Sequence, residues 1–455
     1  MKRHILTLAV TGAMLSSCGI YTKYTPATEV PENLYGQETA LREDTAGLGD
    51  RDWREVFADG PLQALIDNAL ANNTDYLSAQ LRVEQAEAAL LSAKLAFLPS
   101  FALAPQGAVS SFDSHKAAQT YSVPVAASWE LDIFGRMRNA KKQSQAALAQ
   151  SKDYKQAVRT QLIAGVANTY YTLLMLDAQL EISEETAGAW LETVNSTRAL
   201  MNAGLANEAA VAQMEASYYS VRAAVLDLKE QRVVVENSLA LLMAETPHAI
   251  RRGRLEGQRL PERFSVGIPV QMLANRPDVR ASERAFESAF YATNQARSAF
   301  YPSITLSGSA GWTNSAGAAI VNPGKFLASA MAQLTQPLFA KGQLIGQLKI
   351  SKAQQEEARL RFEQTLLNAG TEVNEALEQY HTARAKADLF DKQIVALERA
   401  YRSTSLLMEH GTSTYIEVLS AQKGLLNAKL TQVANRFAEI QGIVNLYHAL
   451  GGGRE

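Results

Sequence analysis

The chain has 455 residues, 47% apolar and 20% charged, and its 44 Lys+Arg against 46 Asp+Glu leave a formal net charge of -2. This is globular composition, neither that of a disordered chain nor the basic excess that a phosphate backbone attracts. After the first seventeen residues no apolar run reaches the length of a transmembrane helix. A spanning β-structure, whose signal per strand is far weaker, stays open.

Lys2 and Arg3, the apolar stretch Ile5 to Leu15 and the sequence Leu15-Ser16-Ser17-Cys18 read as an export signal over residues 1–17. The small residues before the one cysteine match a bacterial lipobox. On this reading Cys18 becomes the lipidated first residue of the mature chain, held to a leaflet by its acyl methylenes. The plain alternative is an isolated buried cysteine. Residues 18–60, rich in Pro, Gly, Glu and Thr and nearly free of periodicity, read as an extended arm.

Two repeats follow, 61–250 and 251–455. A shift of 203 positions lays Leu70-Ala71-Asn72 and Asp75 on Leu273-Ala274-Asn275 and Asp278, and it lays Ala96, Phe97, Pro99, Ser100 and Leu103 on Ala299, Phe300, Pro302, Ser303 and Leu306. The period is far longer than that of a solenoid, so it implies two similar halves. No proline occurs between Pro124 and Pro247 or after Pro337, and these stretches are rich in Ala, Leu, Gln and Glu. A helix from about Arg136 to Met201 would be on the order of 100 Å long. Val211, Met214, Tyr218, Val221, Val225 and Leu228, and again Leu426, Leu430, Val433, Phe437, Ile440 and Val444, keep the 3-and-4 spacing of a heptad seam. Coiled packing explains this length where a plain core helix does not.

Between the helices the period changes. Tyr121, Val123, Val125, Ala127, Trp129, Leu131 and Ile133 alternate with smaller or polar residues, as do Ile304, Leu306, Gly308, Ala310 and Trp312. Phe101 to Phe112 and Leu327 to Phe339 complete two predicted hairpins. A soluble sheet would alternate in the same way. If these four strands lie in lipid, they cannot close alone, and open edges find no water there. Closed membrane barrels have about 8 strands or more, so at least two chains must share one barrel, and three would supply twelve.

Motifs for bond chemistry are missing from the sequence. The six histidines are scattered without HExxH spacing. Glu181, Glu184 and Glu185 are a carboxylate group at helical spacing, for which a solvated helix face is the simpler reading. Trp129 and Trp312, both in strand segments, suit an interfacial aromatic position.

Several stretches together resemble the TolC-like outer membrane efflux proteins, specifically the lipidated, NodT-type outer membrane factors of tripartite RND-type pumps. They are the lipobox ending at Cys18, Arg276-Pro277-Asp278-Val279, the run Trp129 to Arg136 (WELDIFGR), the run Gly411 to Gln422 (GTSTYIEVLSAQ), and the closing Asn445-Leu446-Tyr447 with Ala449 to Gly453. The resemblance implies a mainly α fold with a small β part: a duplicated long-helix α-barrel continuing a transmembrane β-barrel of four strands per chain, twelve in a homotrimer. It implies as partners a periplasmic adaptor, a proton-driven inner membrane transporter and outer membrane lipid, with no cofactor, metal or nucleic acid.

On that basis the periplasmic end is closed by two helix turns. Gly204, Leu205, Asn207 and Glu208 in one turn, and Gly411, Thr412, Ser413 and Thr414 in the other, are the candidate adaptor contacts. Tyr415, Ile416, Glu417 and Ser420 are the candidate gate. Three copies of Glu417 would form a cation-selecting carboxylate ring. The competing reading of Glu417 is a solvated helix-start carboxylate stabilised by the helix dipole. Ser420 stands where the family commonly has the acid of VLDAQ. The expected function is a passive outer membrane efflux channel; the alternatives are a lipid-anchored periplasmic coiled-coil scaffold without a pore and an exit duct for secretion or metal export.

Overall fold

The computed structural model describes residues 21, 23–26, 34, 47–111, 113, 117–261, 274–316, 319–410 and 413–454. The predicted leader, Cys18, Gly411 and Thr412 lie outside the described residues. Two compact units divide the chain: Met1–Ala27, Leu81–Asp153 and Arg280–Gln364 form the first, and Thr28–Gln80, Tyr154–Val279 and Thr365–Glu455 the second. The helices among the described residues are α1 (Trp53–Val56), α2 (Gly60–Asn72), α3 (Thr74–Leu95), α4 (Arg136–Asn202), α5 (Glu208–Leu242), α6 (Pro277–Ser298), α7 (Gln343–Glu409) and α8 (Tyr415–Ala449). The strands are β1 (Ser100–Leu103), β2 (Gln106–Ser110), β3 (Ala118–Leu131), β4 (Ser303–Ala316) and β5 (Ala319–Thr335). Helices α4 and α7 have 67 residues each. Among the described residues no helix is long and apolar enough to cross a membrane.

The first unit is built on one antiparallel sheet in the order β1-β3-β4-β5, with β2 also on β3. The predicted strand from Phe101 to Phe112 is therefore two segments, and the break has a chemical cause. Leu103 pairs with Val125 and Gln106 with Ser122, so Ala104 and Pro105 face Pro124 and Val123. The Pro124 carbonyl accepts from Ala104 N at 3.0 Å, but Pro124 has no N–H to return. On its other side Pro124 faces Gly311, where a Cβ would lie 2.4 Å from the Pro124 Cα, so only glycine fits. β5 starts earlier than the predicted strand and ends at Thr335, short of Phe339.

Register assigns the side chains to faces. Val123 pairs with Trp312, Trp129 with Leu306, Trp312 with Phe326 and Ile304 with Leu334, so these residues share one face. That face is open, with Val123 44%, Trp312 61%, Phe326 59% and Leu334 65% accessible, and on β5 Leu327 and Met331 of the other face are exposed as well. Trp312 and Phe326 meet edge to face at 5.4 Å. After β3, Asp132 accepts from Met137 N and Arg138 N at 2.9 Å each and so starts α4, its charge matching the helix N-terminus. Gly135 supplies the turn at φ +75. Tyr21 donates to the Phe134 carbonyl at 2.5 Å, and Tyr24 packs edge-on against Phe286 and Phe290.

The second unit holds a large apolar core in which Tyr170, Tyr171, Tyr447, Phe57, Leu48, Leu62 and Ile66 are fully buried. Leu48, Trp53, Val56 and Phe57 belong to this core, so the end of the predicted arm is packed structure: its apolar residues are too few for a periodic signal but find partners far along the chain. Phe57 meets Tyr447 edge to face at 5.6 Å, and the Tyr447 hydroxyl donates to the Arg51 carbonyl at 2.8 Å. The Arg276-Pro277-Asp278 motif opens α6 with Pro at its first position. Arg276, 3% exposed, pairs with Asp278 at 2.6 Å and Glu372 at 2.7 Å and donates to the Ala449 carbonyl at 3.1 Å. The guanidinium thereby ties α6, α7 and the end of α8.

Helices α7 and α8 approach closely at Gly442, where a Cβ would sit 2.9 Å from Tyr380 N and 3.1 Å from its Cα. Gly442→Val is expected to cost about 1–3 kcal/mol by overpacking and to lower the melting temperature of the detergent-solubilised protein. His448 sits by the same cluster, and burial, reinforced by the positive charge of Arg276, pushes its imidazole below the ordinary value of 6.5. The unfolded chain then takes up a proton near pH 6.5 that the folded chain refuses, so stability falls as pH drops below about 6.5. His448→Gln should flatten the melting temperature between pH 7 and pH 5.5; an unchanged slope would exclude this histidine as its source.

Candidate functional site

The two helix turns expected to close a conduit both belong to the second unit, and each is built by capping chemistry. At the end of α4, Gly204 takes φ +77. Its N–H bonds to the Met201 carbonyl at 2.9 Å and that of Leu205 to the Leu200 carbonyl at 2.8 Å, the paired bonds of a glycine C-terminal cap. Asn207 then caps α5, its side chain accepting from Ala210 N at 2.9 Å, and Glu208 follows in the first turn. Leu205 is 76% exposed, and Gly204, Asn207 and Glu208 are exposed with it, so this turn presents one large apolar side chain among small and polar residues.

The second turn joins α7 to α8. Ser413 N bonds to the Leu407 carbonyl at 3.2 Å, and Thr414 is the N-cap of α8. The Glu417 carboxylate accepts from the Thr414 N–H at 3.2 Å and from the Ser413 hydroxyl. These bonds, Ser413 first and Thr414 second, hold its pKa below the ordinary carboxylate value. Glu417 is therefore an exposed, ionised carboxylate that also caps its own helix.

The gate candidates separate onto different faces of α8. Ile416, Glu417 and Ser420 are exposed, whereas Val418 and Leu419 are buried. Tyr415 turns inward with them and packs on a cluster of Ala187, Trp190 and Val194 from α4, Met214 and Val221 from α5, and Leu419. Tyr415 thus stands apart from the other three.

Pairs of long helices run together behind the turns. Lys229 of α5 meets Glu184 of α4 at 2.8 Å, and Lys429 of α8 meets Glu398 of α7 at 3.2 Å. Buried Val211, Met214, Val221, Val225 and Leu239 are the apolar seam of α5. Of the carboxylate group singled out in the sequence, Glu184 is paired as above and Glu181 with Arg254 at 2.5 Å. No group of three or more His, Cys, Asp or Glu residues among the described residues is arranged to hold a metal ion.

A polar junction near the second turn has no periodic signature in the sequence. Gln422 of α8, 5% exposed, donates to the Thr193 hydroxyl of α4 and to the Tyr401 hydroxyl of α7, both at 3.1 Å. It closes the run GTSTYIEVLSAQ, the one sequence signal that touches it.

Comparison with known proteins follows the same lines. The family model described as "Outer membrane efflux protein" matches residues 65–245 and 268–452. The cation efflux system protein CusC of Escherichia coli (strain K12) is 26% identical over 96% of this chain and 97% of its own length. The probable efflux pump outer membrane protein TtgC of Pseudomonas putida is 28% identical over 100% of this chain and 96% of its own. Among solved structures, the open state of the Neisseria gonorrhoeae MtrE outer membrane channel superposes with a TM-score of 0.82 at 26% identity, over 95% of this chain and 98% of that one. The chain therefore belongs to the outer membrane efflux protein family and is an outer membrane component of an efflux system.

Proposed function

We propose that three copies of this chain form the passive outer membrane conduit of a tripartite efflux system, without bond chemistry of its own. The observation that carries the reading is the sheet of the first unit. Its apolar face is bare, and its outer edges, β1 with β2 on one side and β5 on the other, pair with nothing among the described residues. In water such a face and such edges invite aggregation, and in lipid open edges are excluded. Three chains close about twelve strands into a barrel, well within the known range. A pore-free scaffold would leave this face uncovered.

The remaining assignments follow from that reading. Cys18 is the proposed lipid anchor, supported by the charged, apolar and small residues before it. The exposed turn residues Gly204, Leu205, Asn207, Glu208 and Thr414 and the half-buried Ser413, with Gly411 and Thr412 beside them in sequence, are proposed to meet a periplasmic adaptor, and through it a proton-driven inner membrane transporter supplies the energy. Ile416, Glu417 and Ser420 are proposed to line the constriction. The names of CusC and TtgC tie one relative to cation efflux and the other to an efflux pump, and a passive duct does not by itself select a cargo.

Light scattering with the detergent contribution subtracted is expected to give the mass of three chains, and planar bilayers are expected to show ion conductance. A monomer, or a trimer that never conducts under any condition, overturns the proposal. Because Glu417 keeps its charge well into acid, cation preference should persist from neutral pH down to about pH 4.5. Glu417→Gln should reduce that preference; unchanged ion selectivity removes Glu417 from the pore lining.

A further inference from the structure

We infer that the free edge formed by β1 and β2 receives β5 of a second copy in one register, the register this chain already uses between β3 and β4, and that Pro105 is the position where that edge withholds a backbone donor. The inference rests on the shared-barrel reading above and adds to it which residues meet. Its basis is the duplication, which the structure makes quantitative. Helix α3, with 22 residues, returns as α6 with 22 residues, 203 positions on, Thr74 to Pro277. After the strands the offset is 207: α4 returns as α7, Arg136 to Gln343, and α5 as α8, Glu208 to Tyr415. The two hairpins keep both offsets, since Trp129 Nε1 donates to the Phe97 carbonyl at 2.9 Å and Gln336 Nε2 to the Phe300 carbonyl at 3.0 Å.

Hydrogen-bond direction identifies the outward residues. Ala104 N donates to the Pro124 carbonyl at 3.0 Å. Tyr121 N turns the other way, to the Asn314 side chain at 2.7 Å, and the Tyr121 carbonyl accepts from the Thr313 hydroxyl at 2.9 Å. Even-numbered residues of β3 therefore face β1 and β2, and odd-numbered ones face β4. Carried across the register, Leu103, Pro105, Gly107 and Val109 turn their backbone groups to the free edge on one side of the sheet, and Ala330, Ala332 and Leu334 do so on the other. Among them only Pro105 has no N–H. A proline so placed blunts an edge against strands in general.

Applied to the seam inside the chain, the two offsets give the seam between copies. Trp129 opposite Leu306 becomes Gln336 opposite Leu103, Val125 opposite Ala310 becomes Ala332 opposite Gly107, and Val123 opposite Trp312 becomes Ala330 opposite Val109. The apolar face then continues from one copy to the next, and a slip of one residue would turn it over. A slip of two keeps the face but displaces the second copy by about 7 Å along the strands, a step the internal seam does not have. Ala127 opposite Gly308 becomes Leu334 opposite Pro105. There the Leu334 carbonyl meets no donor, so the seam between copies is weaker by one ladder bond than the seam within the chain. The incoming strand is thus held by two short ladders, one on either side of Pro105.

Oxidative cross-linking of detergent-solubilised assemblies tests the register, read as covalent multimers on a denaturing gel. Ala108 and Met331, both exposed on the face away from Trp129, fall opposite each other in this register. Ala108→Cys with Met331→Cys is expected to link at least about tenfold faster than Ala108→Cys with Ser329→Cys or with Gln333→Cys, whose Cβ atoms stand diagonally and too far apart for a disulfide. Ser110→Cys with Ser329→Cys is a second in-register pair, used where the Met331 variant fails to assemble. Wild type, with Cys18 as its one cysteine, sets the background. A trimer that links fastest through a shifted pair, or through none, overturns the register and leaves the shared barrel standing; a monomer that links through none removes both. Pro105→Ala supplies the missing donor and should raise the temperature at which assemblies separate into chains. A separation temperature that is unchanged or lowered removes Pro105 from the seam.

Discussion

Backbone hydrogen bonding at the rim of the sheet is the constraint from which the rest of this molecule follows. β3 and β4 have neighbours on both sides, but among the described residues β5 and the β1/β2 side each leave a row of N–H and C=O groups facing outward. With Trp129, Trp312, Phe326 and Leu334 exposed on one face, the natural surroundings of that face are apolar, and in an apolar medium an unpaired edge costs several kcal/mol per group. Pairing β5 of one copy with β1 and β2 of another removes the cost without any new element. The sheet thus turns a property of one chain into a demand for several.

The second unit solves a different problem. Long helices need a partner along their whole length, because propensity alone leaves a helix marginal. The apolar seams of α5 and α8 provide it, and where the backbones draw together the side chain disappears, as at Gly442. Buried charge marks points of attachment: Arg276 ties three elements at the end of α8, and Arg252 pairs with Glu236 at 2.5 Å and with Asp177, fastening the segment after α5 back onto α4. Each buried charge keeps its partners, so breaking one partner costs more than the pair contributes.

Much of this was readable because long-period features survive in a linear string. The missing prolines and the heptad spacing placed α4 within one residue of its observed end, and period-two alternation located β3 and β4. What escaped depended on contacts across the chain. The split of the first strand needs Pro124 opposite Ala104 and Pro105, a fact of register that Pro105 alone does not reveal. Leu48 and Phe57 look like arm residues until Tyr447, almost 400 positions away, supplies their core. At the turn, Tyr415 reads as a gate residue by neighbourhood, yet it packs on the Trp190 cluster. Gln422 reads as a polar helix position, and only its neighbours reveal it as buried.

The first two turns of α8 carry both exposed candidates and buried anchors, and their interleaving has a mechanical consequence. Ile416, Glu417 and Ser420 lie on one face, with Tyr415, Val418, Leu419 and Gln422 on the other. At about 100° per residue, any rotation of α8 that moves Glu417 must also move Leu419 and Gln422. Leu419 resists leaving the apolar cluster, whereas Gln422 loses one bond and gains water for an oxygen that has no partner when buried. Exposed Glu417 and buried Gln422 are thus coupled through a single helix, so a force applied at the exposed turn moves both together.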